Sequence, residues 1–282
     1  THFRILWTYS HLRHDFGHDF FNCDIDGDGV DEIIFLTVDR INHTGPEIEG
    51  ELVILRADSR PYLRKAVRDV YPDTHFDDVV IADFRGIGRK EILVEKGILM
   101  NIQGEIVWDL SDEFRHGQWI ATAPNPHGPG LLIFISELWS TEGKSKMLDP
   151  SGKVLWELGR DRHTRLHPEQ VPGYQVLPTR AHAVDWFNNG HYEIVLGEQI
   201  EGPTGHACYE ETSHDLKLFF FDLEGHLLHE MPFRDTRHCG FWYNGEVRSH
   251  IADMDGDGYP EWVFPRQDGR VMIIKKERTA ST

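Results

Sequence analysis

The chain has 282 residues, 47 acidic against 29 basic, and a formal net charge of −18. An average surface of that sign repels nucleic acid and anionic membrane. Its apolar runs are far shorter than a membrane span, so the sequence reads as a soluble protein with no partner of either kind.

In chain order, the first element is an apolar strand, Phe3-Arg4-Ile5-Leu6-Trp7-Thr8. The chain starts at Thr1 with no signal-like stretch ahead of it, and is read as a processed mature chain or an excised piece. Next comes Asp24-Ile25-Asp26-Gly27-Asp28-Gly29-Val30-Asp31-Glu32, a D-x-D-G-D-G-x-x-E phrase with apolar strands on both sides, and it returns at Asp253-Met254-Asp255-Gly256-Asp257-Gly258-Tyr259-Pro260-Glu261. Carboxylates at the first, third and fifth positions converge as the glycines bend the chain, and the last Glu closes the shell. Hard oxygen donors of that number suit Ca²⁺. The expected ligands are Asp24, Asp26, Asp28 and Glu32 in one turn and Asp253, Asp255, Asp257 and Glu261 in the other. The expected cofactor is Ca²⁺, in a role that locks strands together rather than in catalysis.

Between these copies the phrase recurs in eroded form at Asp83–Glu91 and Asp185–Glu193, and as a bare turn over Ala123–Leu131. Arg85 takes a ligand position in the Asp83 turn, so a cation of the protein stands where the metal belongs; Asp185, Asn189 and Glu193 retain donors for a weaker site. Downstream of three turns lies a hairpin of apolar strand, glycine turn and apolar strand, at 97–108, 147–156 and 218–228. Each unit therefore reads as strand A, metal-type turn, strand B, loop, strand C, short turn, strand D. The spacing gives one all-β domain over 1–282, a five-bladed β-propeller of four antiparallel strands per blade, or part of a larger one. The last unit lacks strand D, and Phe3–Thr8 matches Gly152–Glu157 in pattern, so the N-terminal strand is expected to close it. A short helix near 163–171 is the best helical candidate.

Turns A–B and C–D share one face, and the loops on the other are rich in His, Arg and aromatic residues. His18, Arg237, His238, Trp242 and Trp139 are the candidate substrate-binding groups there. Arg180 with His182, and Arg248 with His250, sit at matching offsets ahead of Asp185 and Asp253, and period-two alternation puts each pair on one side of an inner strand. Arg suits a uronate carboxylate, His exchanges protons near neutral pH, and Tyr243 can protonate a leaving oxygen. His182, His250, Arg180, Arg248 and Tyr243 are thus the candidate catalytic set for β-elimination from an acidic polysaccharide. Two alternatives stay open: a glycoside hydrolase, with Asp19 and Asp78 as acids on the same rim, and a non-catalytic propeller that binds carbohydrate or protein. Cys23 reads as a buried free thiol, Cys208 and Cys239 as a pair that loops could bring into a disulfide. Calcium turns and a disulfide both point to a secreted or periplasmic protein, and nothing in the chain speaks against a monomer.

The repeated D-x-D-G-D-G-x-x-E strands resemble the FG-GAP or VCBS-type calcium blades of integrin α-subunits and many secreted bacterial proteins. The stretch Pro124-Asn125-Pro126-His127-Gly128-Pro129-Gly130-Leu131-Leu132-Ile133-Phe134 is similar to a blade element of the rhamnogalacturonan lyases of polysaccharide lyase family eleven, as is Val184-Asp185-Trp186-Phe187-Asn188-Asn189-Gly190. That resemblance implies a calcium-dependent propeller that cleaves the backbone of pectin by β-elimination. The family has eight blades where five are counted here, and its catalytic residues do not map onto this chain by motif.

Overall fold

A computed structural model describes residues 4–10, 14–39, 48–69, 78–114, 117–137, 144–159, 175–178, 181–201, 216–233, 249–265 and 271–276. Their regular structure is β-strand, as the alternating apolar pattern requires, with one short 3₁₀ turn at Ser111–Glu113 among the described residues. They divide into two compact units, residues 1–120 with 127–131 and 150–152, and residues 121–126, 132–149 and 153–282.

The first unit holds two antiparallel four-stranded sheets. One is β1 (His14–Cys23), β2 (Glu32–Asp39), β3 (Ile48–Leu55) and β4 (Pro61–Asp69); the other is β5 (Val79–Ala82), β6 (Glu91–Val94), β7 (Ile98–Asn101) and β8 (Ile106–Asp109). Strands pair in chain order, so each sheet is a meander. Ile34, Leu36, Leu52 and Ile54 pack against Val79, Ile92, Val94 and Met100 in one core, and full burial of each such side chain contributes about 1.5–3 kcal/mol.

The second unit takes most of the sheet β9 (Gly117–Pro124), β10 (Leu131–Glu137), β11 (Lys144–Leu148) and β12 (Val154–Gly159). A five-stranded sheet follows, with β13 (Gln175–Pro178), β14 (His182–Val184), β15 (Glu193–Glu201), β16 (Leu216–Phe221) and β17 (Leu227–Phe233). Here β13 and β14 pair successive stretches of β15, so the inner strand is broken rather than continuous. The last sheet has three strands, β18 (His250–Ala252), β19 (Glu261–Pro265) and β20 (Val271–Lys275). Two aromatic-rich clusters fill this unit, one centred on Phe134, Phe219 and Phe221 and one on Trp186, Phe220 and Trp262.

The hairpin between third and fourth strands repeats with fine detail. In four sheets a register shift falls at the same place beside the turn: Ile54/Leu55, Leu99/Met100, Met147/Leu148 and Phe220/Phe221. Each of those turns has a residue with positive φ, supplied by Gly104, Gly152 and Gly225, and by Ser59 in the first sheet. The outer strand's aromatic residue then packs on the following sheet's turn. Trp156 lies against Gly225 and donates Nε1–H to the Leu223 carbonyl at 2.7 Å, and Trp108 lies against Gly152.

The N-terminal segment departs from expectation. Residues 4–10 form no strand, and Ile5 and Leu6 are exposed, so no β pairing of this segment completes the three-stranded sheet among the described residues. Trp7 instead donates Nε1–H to the Ala57 carbonyl at 2.8 Å and packs on Phe35, Val53 and Leu55. Ala57 holds the turn position that Leu223 holds under Trp156, so Trp7 makes the contact that an outer strand makes with the sheet after it. The expected helix near 163–171 lies outside the described residues.

Candidate functional site

The four Asp-led turns share one hydrogen-bonded frame. Asp24 accepts from the backbone N–H groups of Gly27 and Asp28 with one oxygen and of Gly29 with the other. Asp253 does the same for Gly256, Asp257 and Gly258. In the eroded turns Asp83 accepts from Ile87 and Gly88, and Asp185 from Asn189 and Gly190. At the other end a buried Glu accepts from the backbone early in the turn: Glu32 from Ile25, Glu91 from Arg85, Glu193 from Trp186 and Glu261 from Met254. The first Asp and last Glu therefore hold the loop shape through hydrogen bonds to the backbone.

The third position sets the chemistry. In the first and last turns one oxygen from each of Asp24, Asp26 and Glu32, and of Asp253, Asp255 and Glu261, comes within 4.8 Å of the others. Asp28 and Asp257 stand outside those sets, each accepting from the backbone two residues on. In the last turn the Lys275 ammonium sits 2.6 Å from Asp255, 2.8 Å from Asp257 and 2.5 Å from Glu261, and Asp255 first, then Asp257 and Glu261, raise its pKa. A cation of the protein thus occupies the point where the carboxylates converge, and the all-oxygen donor set fits a hard divalent ion. Arg56 plays a looser part in the first turn, 3.2 Å from Asp26 and 3.9 Å from Glu32. In the Asp83 turn Arg85 fills the third position and binds Glu91 through Nε at 2.6 Å. In the Asp185 turn that position is Phe187; burial, above all, raises the Glu193 carboxyl pKa, and Asp185 adds to the shift.

Of the residues expected to carry chemistry, His182 and His250 are described. His182 opens β14 and pairs Val195, while His250 opens β18 and pairs Val263. The half-buried His182 ring meets Ser249 Oγ through Nε2 at 2.7 Å and stands edge-on to Trp262 with centroids 5.8 Å apart. His250 is exposed. Arg180, Arg248, Tyr243, Arg237, His238, Trp242 and Trp139 lie outside the described residues, as do Cys208 and Cys239. His18 and Asp19, expected in a connection ahead of the first sheet, fall within β1. Cys23 is a free, half-buried thiol, with the Lys90 ammonium 3.5 Å from its sulfur.

Asp78, the other candidate hydrolytic acid, is 1 % exposed and accepts from the Ile120 amide at 2.9 Å. It belongs to a buried group the sequence did not disclose. Glu95 lies at hydrogen-bond range of the Asp78 amide, and Lys96, also buried, stands 3.9 Å from Glu95 and 3.5 Å from the Gly117 carbonyl. Fully buried charges hold only when paired, and Asp78 here ties two strands together. Only the polar interruption Glu95-Lys96-Gly97 after an apolar strand hinted at it.

No family model matches the chain, and no curated protein matches it. Among solved structures it is similar to the rhamnogalacturonan lyase YesW, with 15 % identity over 86 % of this chain and 42 % of that one and a TM-score of 0.43. It is similar to a Bacillus licheniformis rhamnogalacturonan lyase at 14 % identity, over 86 % and 42 %, with a TM-score of 0.42. For the exotype rhamnogalacturonan lyase YesX the values are 17 %, 91 %, 40 % and 0.34. The chain thus spans about two fifths of the length of each.

Proposed function

We propose that the chain is a calcium-stabilised β-propeller that acts outside the cytoplasm and cleaves a uronate-containing polysaccharide by β-elimination. The observation that carries this reading is the 2.7 Å contact from His182 to Ser249. It sets the start of β14 beside the start of β18, the two inner strands that each carry Arg two residues ahead of His. The recurrent Trp contact on the third-to-fourth-strand turn, with Trp7 repeating it on the first sheet, supports reading the sheets as successive blades. The solved neighbours are reported as rhamnogalacturonan lyases, and the proposal places this chain's substrate in the same class of acidic polysaccharide.

In this mechanism Arg180 and Arg248 take the uronate carboxylate and stabilise the charge that grows on it. His182, its ring held by Ser249 and Trp262, removes the proton from the carbon next to the carboxylate. The electron pair left behind forms a double bond to the neighbouring carbon as the bond to the leaving oxygen breaks, and Tyr243 returns a proton to that oxygen. Trp139 and Trp242 stack on sugar rings, with Arg237, His238 and His250 at the rim. Asp24, Asp26 and Glu32, and Asp253, Asp255 and Glu261, would hold Ca²⁺, which would offset the repulsion of the converging carboxylates and stiffen the turns.

Incubation with pectic, gum-type and algal substrates is expected to raise the ultraviolet absorbance of unsaturated uronates. His182→Ala is expected to lower that rate by about 10²–10⁴-fold while leaving calcium binding intact. New reducing ends without the absorbance would replace the lyase by a hydrolase. Neither signal on any substrate would leave a carbohydrate- or protein-binding propeller.

A further inference from the structure

The Asp24 and Asp83 turns share a frame and carry opposite charge. The first has acids at five of its nine positions (24, 26, 28, 31 and 32); the second retains two, Asp83 and Glu91, and adds Arg85, Arg89 and Lys90. Between them, in the first unit, lies a cavity of about 570 Å³ that is also lined by the turn after β7. Its cations differ in what holds them. Arg85 is fixed through Nε and its own amide by the buried Glu91, and Lys90 donates to the Asp24 carbonyl. Arg89 is exposed and, among the described residues, has no ion pair. The two acids in the lining are already matched, Glu91 by Arg85 and Asp26 by Arg56. The lining also includes the exposed Gln103 side chain and Ile87, 51 % exposed.

If the three cations served only to neutralise the neighbouring acidic turn, Arg89 would be spent on one of its carboxylates. It is not. A preset guanidinium, a free one, an amide and an aliphatic patch around one cavity, on a chain of net charge −18, are what a carboxylate-bearing sugar needs: ionic contacts for the carboxylate, an amide for hydroxyls and an apolar surface for the C–H face.

We propose that this cavity is a second carbohydrate site, which takes a uronate unit of an acidic oligosaccharide through Arg89 and Arg85, with Gln103 on its hydroxyls and Ile87 beneath the ring. The choice of ligand class rests on the function proposed above.

Calcium-saturated protein carrying His182→Ala, so that no turnover intervenes, is titrated with trigalacturonate, galactotriose and inorganic sulfate by calorimetry. Adding Arg89→Glu is expected to abolish one binding event for trigalacturonate, weakening it at least tenfold, with an unchanged circular dichroism spectrum. Gln103→Ala is expected to weaken the same event about threefold. Galactotriose is expected not to bind there. Unaltered trigalacturonate binding in the Arg89→Glu protein, no binding before that change, or sulfate binding as tightly as the oligosaccharide would each overturn the proposal. Loss of binding in Arg89→Glu with no unsaturated product from the unmutated protein would keep the cavity and remove the lyase. Product formation with unaltered affinity would do the reverse.

Discussion

The first and last Asp-led turns carry the same carboxylates in the same frame, and they differ in the cation the protein itself brings to them. Arg56 reaches the first turn from the side, with contacts at 3.2 and 3.9 Å. Lys275 stands among three carboxylates of the last turn at 2.5–2.8 Å. A tethered ammonium at the convergence point would have to leave before a divalent ion entered, so under the proposed calcium binding the two turns are expected to be unequal sites. The Asp83 turn completes the series, because Arg85 grows from the turn itself and does not leave. The hydrogen-bonded frame and the charge at the third position are therefore separable properties of one nine-residue phrase.

The test with the largest expected effect attacks the frame. Asp24→Ala and Asp83→Ala each remove a carboxylate that accepts two or three backbone N–H groups, and each is expected to cost roughly 2 kcal/mol in chelated protein. Adding calcium should widen the loss for Asp24→Ala and leave it unchanged for Asp83→Ala, as read by thermal melts. If Asp24→Ala costs nothing without calcium, the frame is metal-made and the separation fails.

The inequality of the two sites is sharpened by Lys275→Met. Calorimetric titration of chelated protein with calcium should show the weaker site tighten by about tenfold, while the other holds its affinity. The same variant should melt lower without calcium, where three carboxylates lose their only described cation. Equal affinities before and after the change would mean that Lys275 does not compete.

How much of this was legible in the sequence follows from the same distinction. The turns, the strands on either side and the three repeated hairpins could be read because each is local: glycines, acids and alternating apolar residues within about ten positions of one another. What escaped is carried by contacts between residues 42 to 67 positions apart. Trp7 on Ala57 and Trp156 on Leu223 join strand to turn across sheets, and Asp78 turns out to be a tie to Ile120 rather than a free acid. The break between β13 and β14 shows only in their pairing with successive stretches of β15. Arg85 was readable as a replacement cation, since its position in the phrase was enough. The cavity beside it was not, because it takes two turns to make one.

A smaller effect is expected in the first sheet, where Ser59 occupies the left-handed position that glycines fill in the other three turns, with φ of 72°. A side chain there is strained, and Ser59→Gly should raise stability by up to about 1 kcal/mol, retaining the bond from residue 59 to the Arg56 carbonyl. Loss of stability instead would show that the Ser59 side chain has a role its three counterparts lack.

The smallest effect, and the one with a defined pH dependence, comes from the Asp185 turn, which has neither acid nor cation at its third position. Phe187 has displaced the third carboxylate, and the nearby Lys276 ammonium lies 5.0 Å from the Phe187 ring centroid rather than on Glu193. Burial of the Glu193 carboxyl therefore outweighs the opposing backbone hydrogen bonds and the charge of His191, and its folded pKa lies above the ordinary value of 4.5. A raised carboxyl pKa means that the folded state favours the proton. Its contribution to stability is complete below pH 4.5 and is lost as pH rises through the folded pKa, because the buried group must then ionise or hold its proton against solution. Glu193→Gln preserves an oxygen for the Trp186 amide and removes the charge. It should leave the melting temperature unchanged near pH 4 and raise it by a few degrees at most near pH 7. A fall at pH 7 that calcium addition deepens would instead show that the Asp185 turn still holds metal, and would move it from the Asp83 side of the comparison to the Asp24 side.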